Sequence, residues 1–319
     1  MSLTFCNIFD KVMNIDAMID YYFILAGLIV GFCVGVTGVG GGSLMTPILI
    51  SIMGIPPQIA IGTDLLYASI SKFCGSLVHA KKLNIVWPIV IFLSIGSIPA
   101  SLGTTWALHH FFSDANQYKK LLTIVLGFML VLTGVSILFR TRIEQFFAKR
   151  RGMSYEQRHS LHNPDSQEAK DTQIKAMLKN KPMVVFMGAV LGIFVTLSSV
   201  GAGAFGVMAL VLLFPNLPMI RIIGSDVVHA VLLTLVAGFG HLFSGNVDFH
   251  MLTFLLIGAI PAIIVGTLIS SKLPEHHIRR VLGVTLLLLG INFVMNPVKQ
   301  KAAPAAAPVA TISNAKVTS

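Results

Sequence analysis

The stretch Val36-Thr-Gly-Val-Gly-Gly-Gly-Ser-Leu-Met-Thr-Pro47 places four glycines in five positions. Within a helix each would cost roughly 1 kcal/mol relative to Ala, so the segment reads as a helix break. A break frees backbone N–H groups, and at the start of the following helix such groups favour an anion. Gly38, Gly40, Gly41 and Gly42 would expose the backbone there, with Thr37 and Ser43 as hydroxyl donors. A second break, Ser198-Ser-Val-Gly-Ala-Gly203, offers the same chemistry through Ser198, Ser199, Gly201 and Gly203. Close helix packing through small residues is the competing reading. No Gly-Lys-Ser/Thr follows the glycines, so this is not a nucleotide phosphate loop.

Two carboxylates stand at matching places, in Gly62-Thr63-Asp64 and Gly224-Ser225-Asp226. Each could cap the start of its helix, or act in proton or ion coupling, the usual reason for a carboxylate inside a membrane. Lys72, eight residues after Asp64, could attract an anion or neutralise a carboxylate. His229 lies three residues after Asp226, on the same helix face, where it could relay a proton or make a plain polar contact. His79 and His241, each followed by an Asn five residues on, close their spans and read as structural. Cys6, Cys33 and Cys74 form no CxxC pair, and single histidines recur without clustering. The expectation is therefore no metal and no other cofactor. No GxSxG or HExxH signature of an enzyme appears.

The elements that must carry these residues follow from composition. Of 319 residues, 55% are hydrophobic and only 11% charged, against roughly 25% charged in a soluble domain. The runs Leu83–Leu108, Leu121–Phe139, Met251–Ser271 and Val281–Val298 contain no Asp, Glu, Lys or Arg. About 20 such residues cross a bilayer core as a helix. The chain reads as an all-α, multi-pass membrane protein, with a lipid bilayer as its solvent. The net charge of +10 is not a nucleic-acid signal, because Arg140–Pro182 alone holds ten Lys/Arg against five Asp/Glu. Basic residues beside spans mark the cytoplasmic side. Five regions result: an N-terminal segment 1–20, a first transmembrane half 21–139, a basic cytoplasmic linker 140–182, a second half 183–295 and a disordered tail 296–319. The N-terminus lacks the pattern of a cleaved signal peptide.

The halves are copies. At an offset of 161, Gly27, Gly31, Val39, Gly40 and Gly42 match Gly188, Gly192, Val200, Gly201 and Gly203. At 162, Pro56, Gly62, Asp64, Ala68, His79, Asn84, Pro99 and Ala100 match Pro218, Gly224, Asp226, Ala230, His241, Asn246, Pro261 and Ala262. Each half holds a Gly-broken helical hairpin followed by three long spans. Tyr21–Met53 would measure about 50 Å as one helix, too long for an ordinary crossing, so a bend at the glycines is expected, with a hairpin that either crosses or re-enters. An odd number of crossings makes the repeats inverted. With the linker inside, inversion also places Lys81, Lys82, Arg221, Lys272, Arg279 and Arg280 on the cytoplasmic side, although it leaves Lys119 and Lys120 outside. Transporters with such repeats bind substrate between them.

Gly38-Val-Gly-Gly-Gly-Ser-Leu-Met-Thr-Pro47, Gly62-Thr-Asp64 and their degenerate second copies resemble the sulfite exporter TauE/SafE family of membrane transporters, over about Phe23–Met295. The second copy departs from the pattern, with Ser199-Val-Gly-Ala-Gly203 for GxGGG and Met208 in place of Pro47. The resemblance implies export of sulfite or an organosulfonate such as sulfoacetate across the inner, cytoplasmic membrane. Joined to the residue reading, it gives a secondary transporter using alternating access, with the anion on the amides of both breaks. The expected partners are a small anionic substrate and lipid, with a homodimer left open. The alternative is a cation- or proton-coupled transporter or channel centred on Asp64 and Asp226.

Overall fold

The computed structural model describes residues 2–37, 42–81, 85–111, 114–150, 167–214, 217, 219–269 and 275–297. Among them are ten helices and no strand: α1 Ser2–Thr37, α2 Gly42–Ser51, α3 Pro57–Lys81, α4 Trp87–Phe111, α5 Ala115–Arg150, α6 Gln167–Ser198, α7 Ala204–Leu213, α8 Met219–Phe243, α9 Phe249–Ile269 and α10 Glu275–Met295. Seven described segments are long and apolar enough to cross a membrane: Met18–Val36, Trp87–Phe111, Asn116–Phe139, Lys181–Ser198, Arg221–Phe243, Phe249–Ile269 and Ile278–Met295. α1 includes residues 2–20, of the segment expected to stand apart from the first span, and α5 and α6 run into the two ends of the 140–182 linker. Residues 151–166 and the tail from 298 lie outside the described residues.

The molecule is apolar outside and polar at its centre, as a chain dissolved in lipid requires. Trp87, Ile91, Ile95, Leu102 and Trp106 form an exposed stripe along α4, and Val281, Val284, Leu288, Ile291 and Met295 another along α10. α3 is enclosed instead: every residue from Ile61 to Ser69 is buried. This enclosure lets α3 carry Thr63, Asp64, Ser69, Ser71 and Lys72 at membrane depth.

Glycines set the close helix contacts. A Cβ at Gly27 would fall on the Leu255 carbonyl of α9, one at Gly31 on Ala259 and one at Gly35 on Ile263, so α1 and α9 run parallel. A Cβ at Gly188 or Gly192 of α6 would fall on Leu93 or Ser97 of α4. This is the same contact in the other copy, since these residues match at the repeat offsets. Packing is therefore interlaced: α1 of the first half lies on α9 of the second, and α6 of the second lies on α4 of the first. The hydroxyl before each aspartate makes a duplicated link. Thr63 Oγ1 accepts from the Asp248 N–H at 3.0 Å, and Ser225 Oγ accepts from the Val86 N–H at 2.8 Å.

Equivalent helices meet head to tail. Gly62 of α3 faces His241 and Asn246 near the end of α8, Leu66 faces Gly238, and Ser69 Oγ donates to the Val231 carbonyl at 3.4 Å. α5 and α10 are antiparallel in the same way, with Gly127 at Phe293 and Gly134 at Gly283 and Leu287. The second broken hairpin turns back rather than crossing. The Thr196 carbonyl accepts from His241 of α8, yet ten residues later Gly206 lies against Asp226, about 22 Å back along the same helix. α7 has 10 residues, about 15 Å, half of a bilayer core.

The helix contacts set a measurable contrast. Gly96→Val drives a side chain into the Val185 carbonyl of α6, whereas a Cβ at Gly103, exposed on the same helix, meets nothing within 4 Å. Gly96→Val should cost at least about 1–3 kcal/mol, seen as a lower midpoint of thermal aggregation in detergent. Gly103→Val should leave that midpoint unchanged.

Candidate functional site

The second break is built from backbone geometry that side chains rarely adopt. Gly201 and Gly203 have φ of +114° and +138°, and Ser199 has φ of 57°. The Ser198 hydroxyl holds the turn together. It donates to the Phe194 carbonyl at 2.6 Å and accepts from the Val200 N–H at 3.2 Å. Ser198 thus serves its own break rather than facing outward as an open donor. The Ser199 hydroxyl is buried beside the Asp64 carboxylate.

Beyond the turn, α7 begins at Ala204 with Gly203 as N-cap and no side-chain capping bond. The first recorded backbone bonds there run from the Gly206 N–H to the Gly201 carbonyl and from the Val207 N–H to the Gly203 carbonyl. Among the described residues, the N–H groups of 201 to 205 donate to no backbone carbonyl. Open amides at a helix start carry partial positive charge. At membrane depth they can only be satisfied by protein, enclosed water or a bound solute.

In the first break, Gly38, Gly40 and Gly41 lie outside the described residues. Thr37 ends α1 and Gly42 opens α2, but their side-chain surroundings are outside the description. Ser43, in the first turn of α2, is buried.

Three charged residues meet beside these turns: Asp64 and Asp226, each 0% exposed, and Lys72, 7% exposed. Both aspartates sit about two turns inside their helices, too deep to cap them, so the capping reading fails on position. Asp64 Oδ2 accepts a hydrogen bond from the Thr46 hydroxyl of α2, while its Oδ1 has no partner. Neither carboxylate oxygen of Asp226 has a partner, although a Cβ at Gly206 in the first turn of α7 would land on Oδ1. Lys72 Nζ donates to the Ala202 carbonyl of the second break at 2.7 Å and lies in the field of both carboxylates. α3 therefore reaches both turns, one through Asp64 and Thr46, the other through Lys72 and Ala202.

His229 Nε2 pairs with Ser97 Oγ of α4 at 2.9 Å, and its Nδ1 has no partner. His241, expected to act at the end of its own helix, instead bonds the Thr196 carbonyl of α6 through Nε2 at 2.9 Å. Its role is structural, between helices. Among the described residues no group of three or more His, Cys, Asp or Glu side chains could hold a metal ion. Sequence reasoning missed Thr46, Ala202 and Gly206. Thr46 is four residues past the glycines, at the spacing that turns it onto the same helix face as Gly42. The other two become visible only when α7 is seen to fold back.

Thr46 is the hydroxyl donor to Asp64 Oδ2, so Thr46→Val should destabilise the protein by about 1–3 kcal/mol, the cost of orphaning a buried acceptor. Thr46→Ser should restore most of it, and thermal unfolding in detergent measures both.

Comparison with known proteins covers nearly all of this architecture. The model of the family described as "Sulfite exporter TauE/SafE" matches residues 23–293. The chain is 32% identical over 271 residues to the probable membrane transporter protein YjnA of Bacillus subtilis, covering 85% of this chain and 98% of that protein. It is 26% identical to a probable membrane transporter protein of Xylella fastidiosa, over 84% of this chain and 92% of the other. With the probable membrane transporter protein MJ0441 of Methanocaldococcus jannaschii the identity is 25%, over 85% and 94%. No solved structure matches the chain significantly.

Proposed function

The chain belongs to the sulfite exporter TauE/SafE family, a family of membrane transporters rather than enzymes, and on that premise we propose that it exports a small sulfur-containing anion across the cytoplasmic membrane by alternating access. The solute class is sulfite or an organosulfonate such as sulfoacetate. The observation that carries this reading is the start of α7: five successive amides without a backbone partner, no side-chain cap, and an apolar helix of 10 residues, too short to cross a bilayer. An oxyanion has several acceptor oxygens and suits such a cluster of donors. The Ser199 hydroxyl adds a donor, and Lys72 adds a positive charge one hydrogen bond from the turn. Gly38, Gly40, Gly41, Gly42, Ser43 and Thr37 complete the proposal from the opposite hairpin.

Inverted repeats fit this scheme. Supporting them are the head-to-tail packing of the equivalent pairs α3/α8 and α5/α10 and the hairpin that returns to its own side, leaving three full crossings per half. The ends of α3 and α5, the start of the apolar segment Lys181–Ser198 within α6, and the starts of α8 and α10 carry Lys81, Arg150, Lys181, Arg221, Arg279 and Arg280. That end is the cytoplasmic one by the basic-residue tendency. Tyr21, Tyr22, Trp106, Phe111, Phe243 and Phe249, all exposed, gather at the other end as an interfacial aromatic belt.

Asp64, Asp226 and His229 are the groups through which proton or ion coupling would act. A cation-conducting reading draws on the same carboxylates, chiefly the bare oxygens of Asp226. Lys72 counts against it, since the site already contains its own cation.

Sulfite efflux from proteoliposomes separates these readings. Gly203→Leu, at φ +138°, and Gly41→Leu should each lower efflux by tenfold or more, on the order of 1.4 kcal/mol. Efflux unchanged by both substitutions would sink the amide site. Cation currents abolished by Asp64→Asn, with sulfonates inert, would establish the alternative.

A further inference from the structure

The two copies differ where each carboxylate meets its short helix. In the first, Asp64 receives the hydroxyl of Thr46. At the repeat offset Thr46 becomes Val207, so Asp226 receives nothing. The neighbouring Met45 becomes Gly206, and the missing side chain leaves room for Asp226 Oδ1 against the first turn of α7. A buried carboxylate thus lies at an uncapped helix start without bonding to it. That helix start is where the proposed substrate would place its own negative oxygens, and two negative groups this close repel strongly away from water.

We propose that Asp226 is the resident anion of the second break, competing with the transported anion for the start of α7, so that substrate binds when Asp226 is protonated. This inference rests on the amide site proposed above and specifies its regulation. The proton enters the carboxylate, the carboxylate loses its charge, and the α7 amides become free to take the solute. Charged and titratable groups facing Asp226 are Lys72 and, beyond it, Asp64 on α3, and His229 on its own helix. Residues 198–207 of α6, the turn and α7 contribute no ionisable side chain, and from α4 the nearby polar group is Ser97. Lys72 is tied to the Ala202 carbonyl, which fixes its charge near the turn.

The test is equilibrium binding of ethanesulfonate to the purified full chain in detergent between pH 5 and 9, by calorimetry. Ethanesulfonate stays fully ionised over this range, so any pH dependence belongs to the protein. Wild-type affinity should fall as pH rises, by up to about tenfold per unit, the limit for one linked proton. Asp226→Asn should bind at least about tenfold more tightly at pH 8 and lose the pH dependence. Val207→Thr supplies the hydroxyl that Thr46 gives Asp64. By favouring the ionised carboxylate it should weaken binding and move the profile to lower pH, which keeps the test open should Asp226→Asn not fold. Binding with the same pH profile in wild type, Asp226→Asn and Val207→Thr would overturn this inference and leave the amide site standing. No binding to wild type or either variant at any pH would overturn both.

Discussion

A backbone amide inside a lipid bilayer has no water to fall back on, and this molecule is organised around that constraint. Breaking a helix at membrane depth, as residues 199–203 do, is tolerable only where other protein surrounds the exposed groups. α3 and α8 provide the surroundings. They cross at the centre, where polar side chains are enclosed, and the remaining spans turn apolar stripes outward. The site and the fold are therefore one problem: a hydrophilic turn in the middle of the bilayer requires a complete protein sleeve.

Duplication and divergence divide the labour within that sleeve. The scaffold contacts occur twice, in the glycine faces of α1/α9 and α4/α6 and in the paired links from Thr63 and Ser225. Apart from the paired aspartates, the charged and titratable groups beside the turns occur once. Lys72 answers to Thr234, whose hydroxyl folds back on its own helix, and His229 answers to Tyr67. What both copies need for packing has been kept, and what sets the charge of the centre has separated. The centre is therefore asymmetric although the scaffold that encloses it is duplicated.

Much of this was legible in the residues alone. Uncharged runs of membrane length mark the spans, four glycines in five positions mark a break, and a repeat that matches Asp, His and Asn points to a common scaffold. The broken hairpins were expected as bends, but whether they cross or re-enter depends on where α7 lies against α8, which no local pattern encodes. Capping and coupling stay open for the aspartates in the sequence because a carboxylate early in an apolar segment looks the same whether the helix starts two turns or two residues before it. Ser198 and Ser199 are indistinguishable as letters. Only the backbone turn between them directs one hydroxyl into its own helix and sets the other beside Asp64.

The interlaced packing has a consequence for how the chain comes to exist. α1 is made before α9, whose surface its glycines fit, with seven helices between them; α4 likewise awaits α6. Lipid can shelter the earlier spans, but their small-residue faces have no mate until the later spans are made. Neither gene half, expressed by itself, would encode a finished object, and assembly must be a late, concerted closure rather than the docking of two preformed modules.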